Sequence, residues 1–142
     1  MPSSSDFPAQ GKVIRVEAAF VIFAPSGTNY ELKLNTSGRY DGPVDTVIDV
    51  TVSAAARKLW TISSGGNFVA PIQGPPRIVQ GRIKYLDEKV MVVQAGLPVL
   101  VELPSQDTAC DLNAGALTVG KLVNVALMPG ASLQLAATVA AK

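Results

Sequence analysis

The stretch that decides the fold is GRIKYLDEKVMVVQAGLPVLVELP, residues 81–104, because a diverged copy, GKVIRVEAAFVIFAPSGTNYELKL, stands at residues 11–34. Both copies contain short apolar runs separated by Gly, Pro, Ser or Asn, the residues that favour turns. Apolar residues in the first run of each copy change phase, which is typical of a strand with a β-bulge. Each copy therefore predicts a bulged first strand followed by a β-hairpin.

The similarity continues beyond these two stretches. The pattern predicts a fourth strand, and after a short turn a fifth, in both halves of the chain. The predicted strands of the first half are Phe20–Ala24, Tyr30–Leu34, Val47–Val52 and Leu59–Ile62; those of the second half are Val90–Val93, Val99–Leu103, Leu122–Leu127 and Leu133–Ala136. The turn before the fifth strand is predicted at residues 54–57 and again at 129–131. A helix over residues 53–60 is the alternative that the alanines allow, but the counterpart contains Pro129 and Gly130, which oppose a helix.

One segment has no counterpart in the second half. Phe68–Ile72 is predicted to fold back on the fifth strand as a sixth strand, and residues 73–78 contain consecutive prolines that are typical of a stiff linker. The predicted organisation is a flexible N-terminal tail at 1–10, a first β-barrel at 11–72, a linker at 73–78 and a second β-barrel at 79–142.

Five strands in this order, with a bulged first strand, resemble the small Greek-key barrels of the OB-fold or the related SH3-like barrels. The resemblance implies an all-β chain of two tandem five-stranded barrels related by an internal repeat. OB-folds bind oligonucleotides, oligosaccharides or proteins, and the fold alone does not choose among these ligands.

Composition excludes several kinds of chemistry. The 142 residues include 12 basic and 11 acidic side chains, which gives no broad field for attracting polyanions. The absence of histidine removes the commonest general base and transition-metal ligand, and the single cysteine, Cys110, cannot form an intramolecular disulfide. The nearest acid pairs, Asp45 with Asp49 and Asp87 with Glu88, are interpreted as solvated turn residues. We therefore expect no enzymatic activity and no cofactor or metal.

The N-terminal sequence MPSSSDFPAQ lacks the basic start and apolar core of a secretory signal. No run of about eighteen apolar residues occurs, so a membrane span is not expected. The prediction is a cytoplasmic protein.

Two sets of residues are candidates for binding. Basic residues interleaved with aromatic ones could hold a single-stranded oligonucleotide, and the set comprises Arg39, Tyr40, Arg57, Lys58, Arg82, Lys84 and Tyr85. Tyr30 and Trp60, by contrast, match apolar positions of the second copy and are predicted to be barrel core.

The second set consists of apolar residues at positions expected to face outward, which would form an interface between barrels or with a partner. It comprises Phe20, Ile22, Met91, Val93 and Leu100. The predicted function is a non-enzymatic binding or scaffolding module of two packed barrels, with a protein partner or self-association. Binding of a single-stranded oligonucleotide or an oligosaccharide is the alternative.

Overall fold

A computed structural model describes residues 7–104 and 110–135 of the chain. The predicted all-β class is confirmed, since this part of the chain contains strands and no helix. The strands are β1 (Ala9–Val16), β2 (Phe20–Pro25), β3 (Glu31–Asn35), β4 (Ile48–Thr61), β5 (Phe68–Ala70), β6 (Gln73–Gly74), β7 (Ile78–Leu86), β8 (Val90–Gln94), β9 (Pro98–Glu102), β10 (Cys110–Asp111), β11 (Leu122–Leu127) and β12 (Ser132–Leu135). No helix in the described ranges could cross a membrane.

The strands form one mixed sheet that closes on itself through β4. Its order is β1-β2-β3-β12-β4-β11-β7-β8-β9, and β4 also pairs with β1 and with β9. Two five-strand circuits result, which we call ring 1 (β1, β2, β3, β12, β4) and ring 2 (β4, β11, β7, β8, β9). The short strands β5, β6 and β10 pair with β7, β3 and β4 respectively.

Strand β4 is 14 residues long and belongs to both rings. The predicted turn at residues 54–57 is wrong, and so is the alternative helix, because these residues belong to β4: Ala54 and Ala55 pair with β9, and Ala56 pairs with β11. At its centre Ser53 is paired on both edges, with Ser132 and with Leu100. The small buried side chains of Ala54 and Ala56 fit this crowded position, and neighbouring strands decide their conformation more strongly than intrinsic propensity does.

The two predicted fifth strands lie in opposite rings. Leu59, in the second half of β4, is opposite Val125 of β11 in ring 2. Leu133 of β12 is opposite Val52, in the first half of β4, in ring 1. The segments 48–61 and 122–135 therefore pair with each other twice, once in each ring. Each segment passes from one ring to the other along its length. Ala136, predicted to end the last strand, lies outside the described residues.

The segment between the two copies is also paired differently from the prediction. Phe68–Ala70 forms a strand, but its partner is β7, with Val69 opposite Val79, and not the fifth strand. The segment predicted as a linker contributes β6, which pairs in parallel with β3.

Both rings share one buried core, made largely of aliphatic side chains. The predicted bulges are confirmed, since the register of β1 shifts between Val13 and Arg15 and that of β7 between Ile83 and Tyr85. Both predicted hairpins form, as β2–β3 and β8–β9. Tyr30 packs against the core, as predicted.

Candidate anion-binding cleft and adjoining sheet face

The side of ring 2 that faces away from the core carries a row of polar and aromatic residues. Pairing places Trp60, Asn124, Gln80 and Phe68 side by side across β4, β11, β7 and β5. Residues directly opposite each other in antiparallel pairs point to the same face of a sheet. We call this surface the outer face. A second row on it comprises Lys58, Ala126 and Ile78.

Trp60 is half-buried and does not pack against the hydrophobic core, so its prediction as barrel core is wrong. The cause is a bulge in β4, where the register with β11 shifts between Ala126 and Leu127. The shift leaves Arg57 without a register partner and turns both Arg57 and Lys58 to solvent. Beyond it Leu59 and Thr61 face the core, and Trp60 faces outward.

A cleft of about 670 Å³ opens beside the second row, where the β11–β12 turn passes between the rings. We call it the cationic cleft. Its walls are Lys33, Asn35, Arg57, Pro75, Pro76, Arg77, Ile78, Ala126, Leu127, Met128, Pro129, Gly130 and Ala131. Ile78 and Ala126 belong to both surfaces, so the cleft and the outer face are continuous.

The three cations of the cleft come from three separate elements. Arg57 lies in the β4 bulge, and Lys33 lies on β3 with its Nζ 4.4 Å from the centroid of the Phe20 ring, a cation–π contact. The backbone of Arg77 is fixed on both sides: its N–H donates to Ala70 O at 2.9 Å and its carbonyl accepts from Leu127 N–H at 2.8 Å. Its side chain remains exposed.

Among the residues that the structure describes, no acidic side chain neutralises these cations. The cleft walls contain no Asp or Glu, and within residues 7–104 and 110–135 the ion pair formed is Arg15 with Glu17, at 2.6 Å. Guanidinium groups without a carboxylate partner keep their full complement of donors for an anion. The cleft therefore combines positive charge with apolar walls.

A smaller cavity of about 240 Å³ lies at the other end of the outer face. Arg82 and Lys84 line it, together with the loop at residues 65–67. The Arg82 guanidinium donates to Gly120 O at 3.0 Å, and Gln80 Nε2 donates to Gly66 O at 2.9 Å. The bond from Gln80 holds the loop at residues 65–67 against the outer face.

The structure gathers four of the seven predicted ligand-binding residues on this side of ring 2, two at each end: Arg57 and Lys58, and Arg82 and Lys84. The other three lie elsewhere. Arg39 and Tyr40 are in the β3–β4 loop, where the Tyr40 hydroxyl donates to Pro43 O at 2.7 Å. Burial, together with the charge of Asp41, raises the pKa of Tyr40. Tyr85 lies beyond the β7 bulge and donates to Asp87.

Four residues of the site were missed by the sequence analysis: Lys33, Arg77, Phe68 and, as a surface residue, Trp60. Lys33 and Arg77 are 44 positions apart in the sequence, and they meet because β6 runs alongside β3 and brings the chain to the cleft. Strand periodicity contains no signal for that approach.

The predicted interface residues also occupy different environments. Met91 and Val93 are completely buried in the core that the two rings share, so they offer no surface to a separate partner. Val93 lies opposite Ile83, just before the register shift in β7, and both side chains are completely buried. Phe20, Ile22 and Leu100 are half-buried.

A direct contact between the two rings, apart from β4, involves Tyr30. Its hydroxyl lies 3.4 Å from Ala95 O and accepts a hydrogen bond from Val69 N–H at 3.2 Å. The Tyr30 ring also passes close to Gly96, in the β8–β9 turn. This residue from the first half of the chain thus fixes the position of a turn in the second.

No family model, curated protein or solved structure matches this chain. The functional inference is therefore drawn from the chemistry of the cationic cleft and the outer face. These surfaces offer guanidinium and ammonium donors, apolar walls and an accessible indole ring.

Proposed function

We propose that this protein is a non-enzymatic binding module whose ligand is an anion with an apolar portion, held in the cationic cleft. The observation that carries the proposal is the presence of Lys33, Arg57 and Arg77 around one cleft whose walls contain no carboxylate. Ligand sites are concave, mostly apolar, and orient their ligand with a few polar groups. Here those groups are cations, and their natural complement is an anion.

The cleft chemistry favours binding over catalysis. Its side chains that can exchange hydrogen bonds are two guanidinium groups, one ammonium group and the amide of Asn35. An arginine remains protonated throughout the physiological range, so neither Arg57 nor Arg77 can act as a general base. The described residues that line the cleft include no hydroxyl, thiol or carboxylate that could serve as a nucleophile.

The architecture we propose is two packed OB-like or SH3-like barrels related by an internal repeat. Support comes from equivalent pairs at a constant spacing. Val13 lies opposite Phe23, and 70 positions later in the sequence Ile83 lies opposite Val93. The first strands also share a close approach at Gly11 and Gly81. The shared strand β4 would make the two barrels one body and place the cleft at their junction.

An amphiphilic dye pair tests the proposed function. The fluorescent anion 1-anilinonaphthalene-8-sulfonate carries an apolar body and one negative charge, and N-phenyl-1-naphthylamine is a related neutral dye. We expect the parent to bind the anion, and Arg57→Gln and Arg77→Gln each to weaken that binding about tenfold, the range of one hydrogen bond to a charged group. Binding of the neutral dye should change little.

The matched control is Arg39→Gln, which removes an exposed cation from the β3–β4 loop. Equal anion affinity in the parent and in the Arg57→Gln/Arg77→Gln double variant would contradict the proposal. A loss of the same size in Arg39→Gln would also contradict it, because the effect would then come from net charge and not from the cleft. Thermal melting of each variant verifies that the dye reports the folded protein.

A further inference from the structure

We infer that the ligand is a single-stranded nucleic acid, with phosphates in the cationic cleft and bases stacked on Trp60 of the outer face. The inference rests on the proposed function, because it names the anion that the cleft binds. What it adds is the surface outside the cleft: an indole ring that belongs to no core, in the row next to the cleft. Neither a free phosphate nor a simple carboxylate would use that ring.

The spacing of the two rows fits a nucleotide chain. Trp60 is two residues along β4 from Lys58, and a strand rises about 3.4 Å per residue, so the two rows are about 7 Å apart. Ile78 and Ala126, which the cleft and outer face share, lie between Arg77 and Lys58. A phosphate bound near Arg57 or Lys58 would leave its neighbouring base within reach of the indole.

Trp60 has the properties of a stacking platform. It is half-buried, and its ring forms no aromatic pair among the described residues. Asn124, directly opposite on β11, places an amide on one side that could bind the edge of a base, and the exposed Asp111 of β10 pairs with Trp60 on the other side. Phe68 is 38% exposed at the far end of the same row, three strand spacings or about 14 Å away. Every base has a π-face, so stacking of this kind tolerates sequence variation.

Cations stand at both ends of the outer face, Arg57 and Lys58 beside the cleft and Arg82 and Lys84 at the smaller cavity. The loop that includes Gly66 covers part of the face between them, because Gly66 O accepts a hydrogen bond from Gln80. A surface that a loop partly covers suits a single strand better than a duplex. Because the chain is nearly neutral overall, we expect it to contact few phosphates. Contacts with three phosphates of a single strand would give a slope of about −2 when the logarithm of the binding constant is plotted against the logarithm of the salt concentration.

The experiment uses ten-nucleotide oligothymidylate, with the fluorescence of Trp60 as the signal, since it is the one tryptophan of the chain. We expect the oligonucleotide to quench this fluorescence at low salt. With a fluorescein-labelled oligonucleotide, Trp60→Leu should weaken binding about tenfold, within the range for loss of one stacked base. Arg57→Gln should weaken oligonucleotide binding and make the salt dependence shallower, with a slope smaller in magnitude by about 0.7. Phe7→Leu, an aromatic substitution outside the outer face, should leave it unchanged.

Three results would overturn the inference. They are no binding at low salt, a folded Trp60→Leu variant that binds like the parent, and a duplex of equal length that binds as tightly as the single strand. If Trp60→Leu fails to fold, Phe68→Leu takes its place, and parental affinity in that variant would count against the inference too. A decameric poly-glutamate that competes fully, without quenching Trp60, would instead identify an acidic peptide as the ligand.

The outcomes separate this inference from the proposed function. Dye binding that depends on Arg57, without oligonucleotide binding, would preserve the cleft as an anion site and reject the nucleic acid. Dye binding that does not depend on Arg57 would reject the cleft itself.

Discussion

At the scale of single residues, two glycines allow strands to pass at distances that no side chain could tolerate. A Cβ built on Gly81 would lie 1.9 Å from Gln94 O, and one on Gly11 would lie 2.4 Å from Ala24 O. Both obstacles are backbone atoms, which cannot move without disturbing the sheet. These glycines are therefore required by the close approach of β1 to β2 and of β7 to β8.

We predict that Gly81→Ala lowers the free energy of unfolding by about 3 kcal/mol or more, at or above the upper end of the cost of overpacking. The measurement is urea unfolding followed by far-UV circular dichroism. Gly66→Ala is the matched control, because no atom lies within 4 Å of a Cβ at that exposed position, and its free energy of unfolding should change by less than about 1 kcal/mol. Similar losses in both variants would contradict the steric explanation.

Asp87 fixes the β7–β8 turn by its carboxylate. The carboxylate accepts hydrogen bonds from Lys89 N–H at 2.8 Å, from Val90 N–H at 2.9 Å and from the Tyr85 hydroxyl at 2.8 Å. These bonds hold the pKa of Asp87 below its ordinary value, the one from Lys89 most strongly. A carboxyl with a lowered folded-state pKa stabilises the fold above its unfolded pKa of about 3.9, and this stabilisation is lost as the pH falls through the folded value.

Asp87→Asn should therefore melt at a lower temperature than the parent at pH 7, and the difference should shrink once the pH falls below about 3.9. Thermal melts of both proteins across this range measure the effect. Glu88→Gln, at the neighbouring exposed position, should show no comparable change in the difference. A gap between parent and Asp87→Asn that stays constant with pH would show that the carboxylate charge is not responsible.

At the scale of elements, the sequence predicts strands better than it predicts their partners. The hairpins could be located because turn residues and alternating apolar residues are local signals, and the bulge in β1 appears as a change of phase after Val13. The course of β4 through residues 54–57 could not be predicted, because alanine has a weak preference for strands and the extended backbone comes from distant partners: Ala54 pairs with Val101 of β9 and Ala56 with Leu127 of β11. The candidate site could be predicted only in part, because its geometry also depends on pairing between distant strands. Arg57 and Lys58 stand out as adjacent cations, but Trp60 faces outward because of a bulge in a pairing distant in sequence.

At the scale of the whole molecule, the exchange between the rings makes folding of one half depend on the other. Ring 1 requires β12, from the end of the described chain, and ring 2 requires the second half of β4. Ring 1 closes between β3 and β12 through one register pair, Asn35 with Ser132, supported by the bond from Asn35 N–H to Ala131 O at 2.8 Å. Neither ring can lose its exchanged strand and stay closed. We therefore expect the two rings to unfold as one cooperative unit.

Leu133→Ala tests this coupling. The side chain is 3% exposed in ring 1, and its truncation should cost about 2–5 kcal/mol. The decisive signal is Trp60 fluorescence, which reports on the outer face of ring 2. In the variant, the unfolding transition seen by Trp60 should move to lower urea by the same amount as the transition seen by circular dichroism.

Leu135→Ala, on the same strand but 46% exposed, should shift both signals little. If Leu133→Ala splits the transition, with Trp60 still unfolding at the parental urea concentration, the rings are independent and the shared strand does not couple them.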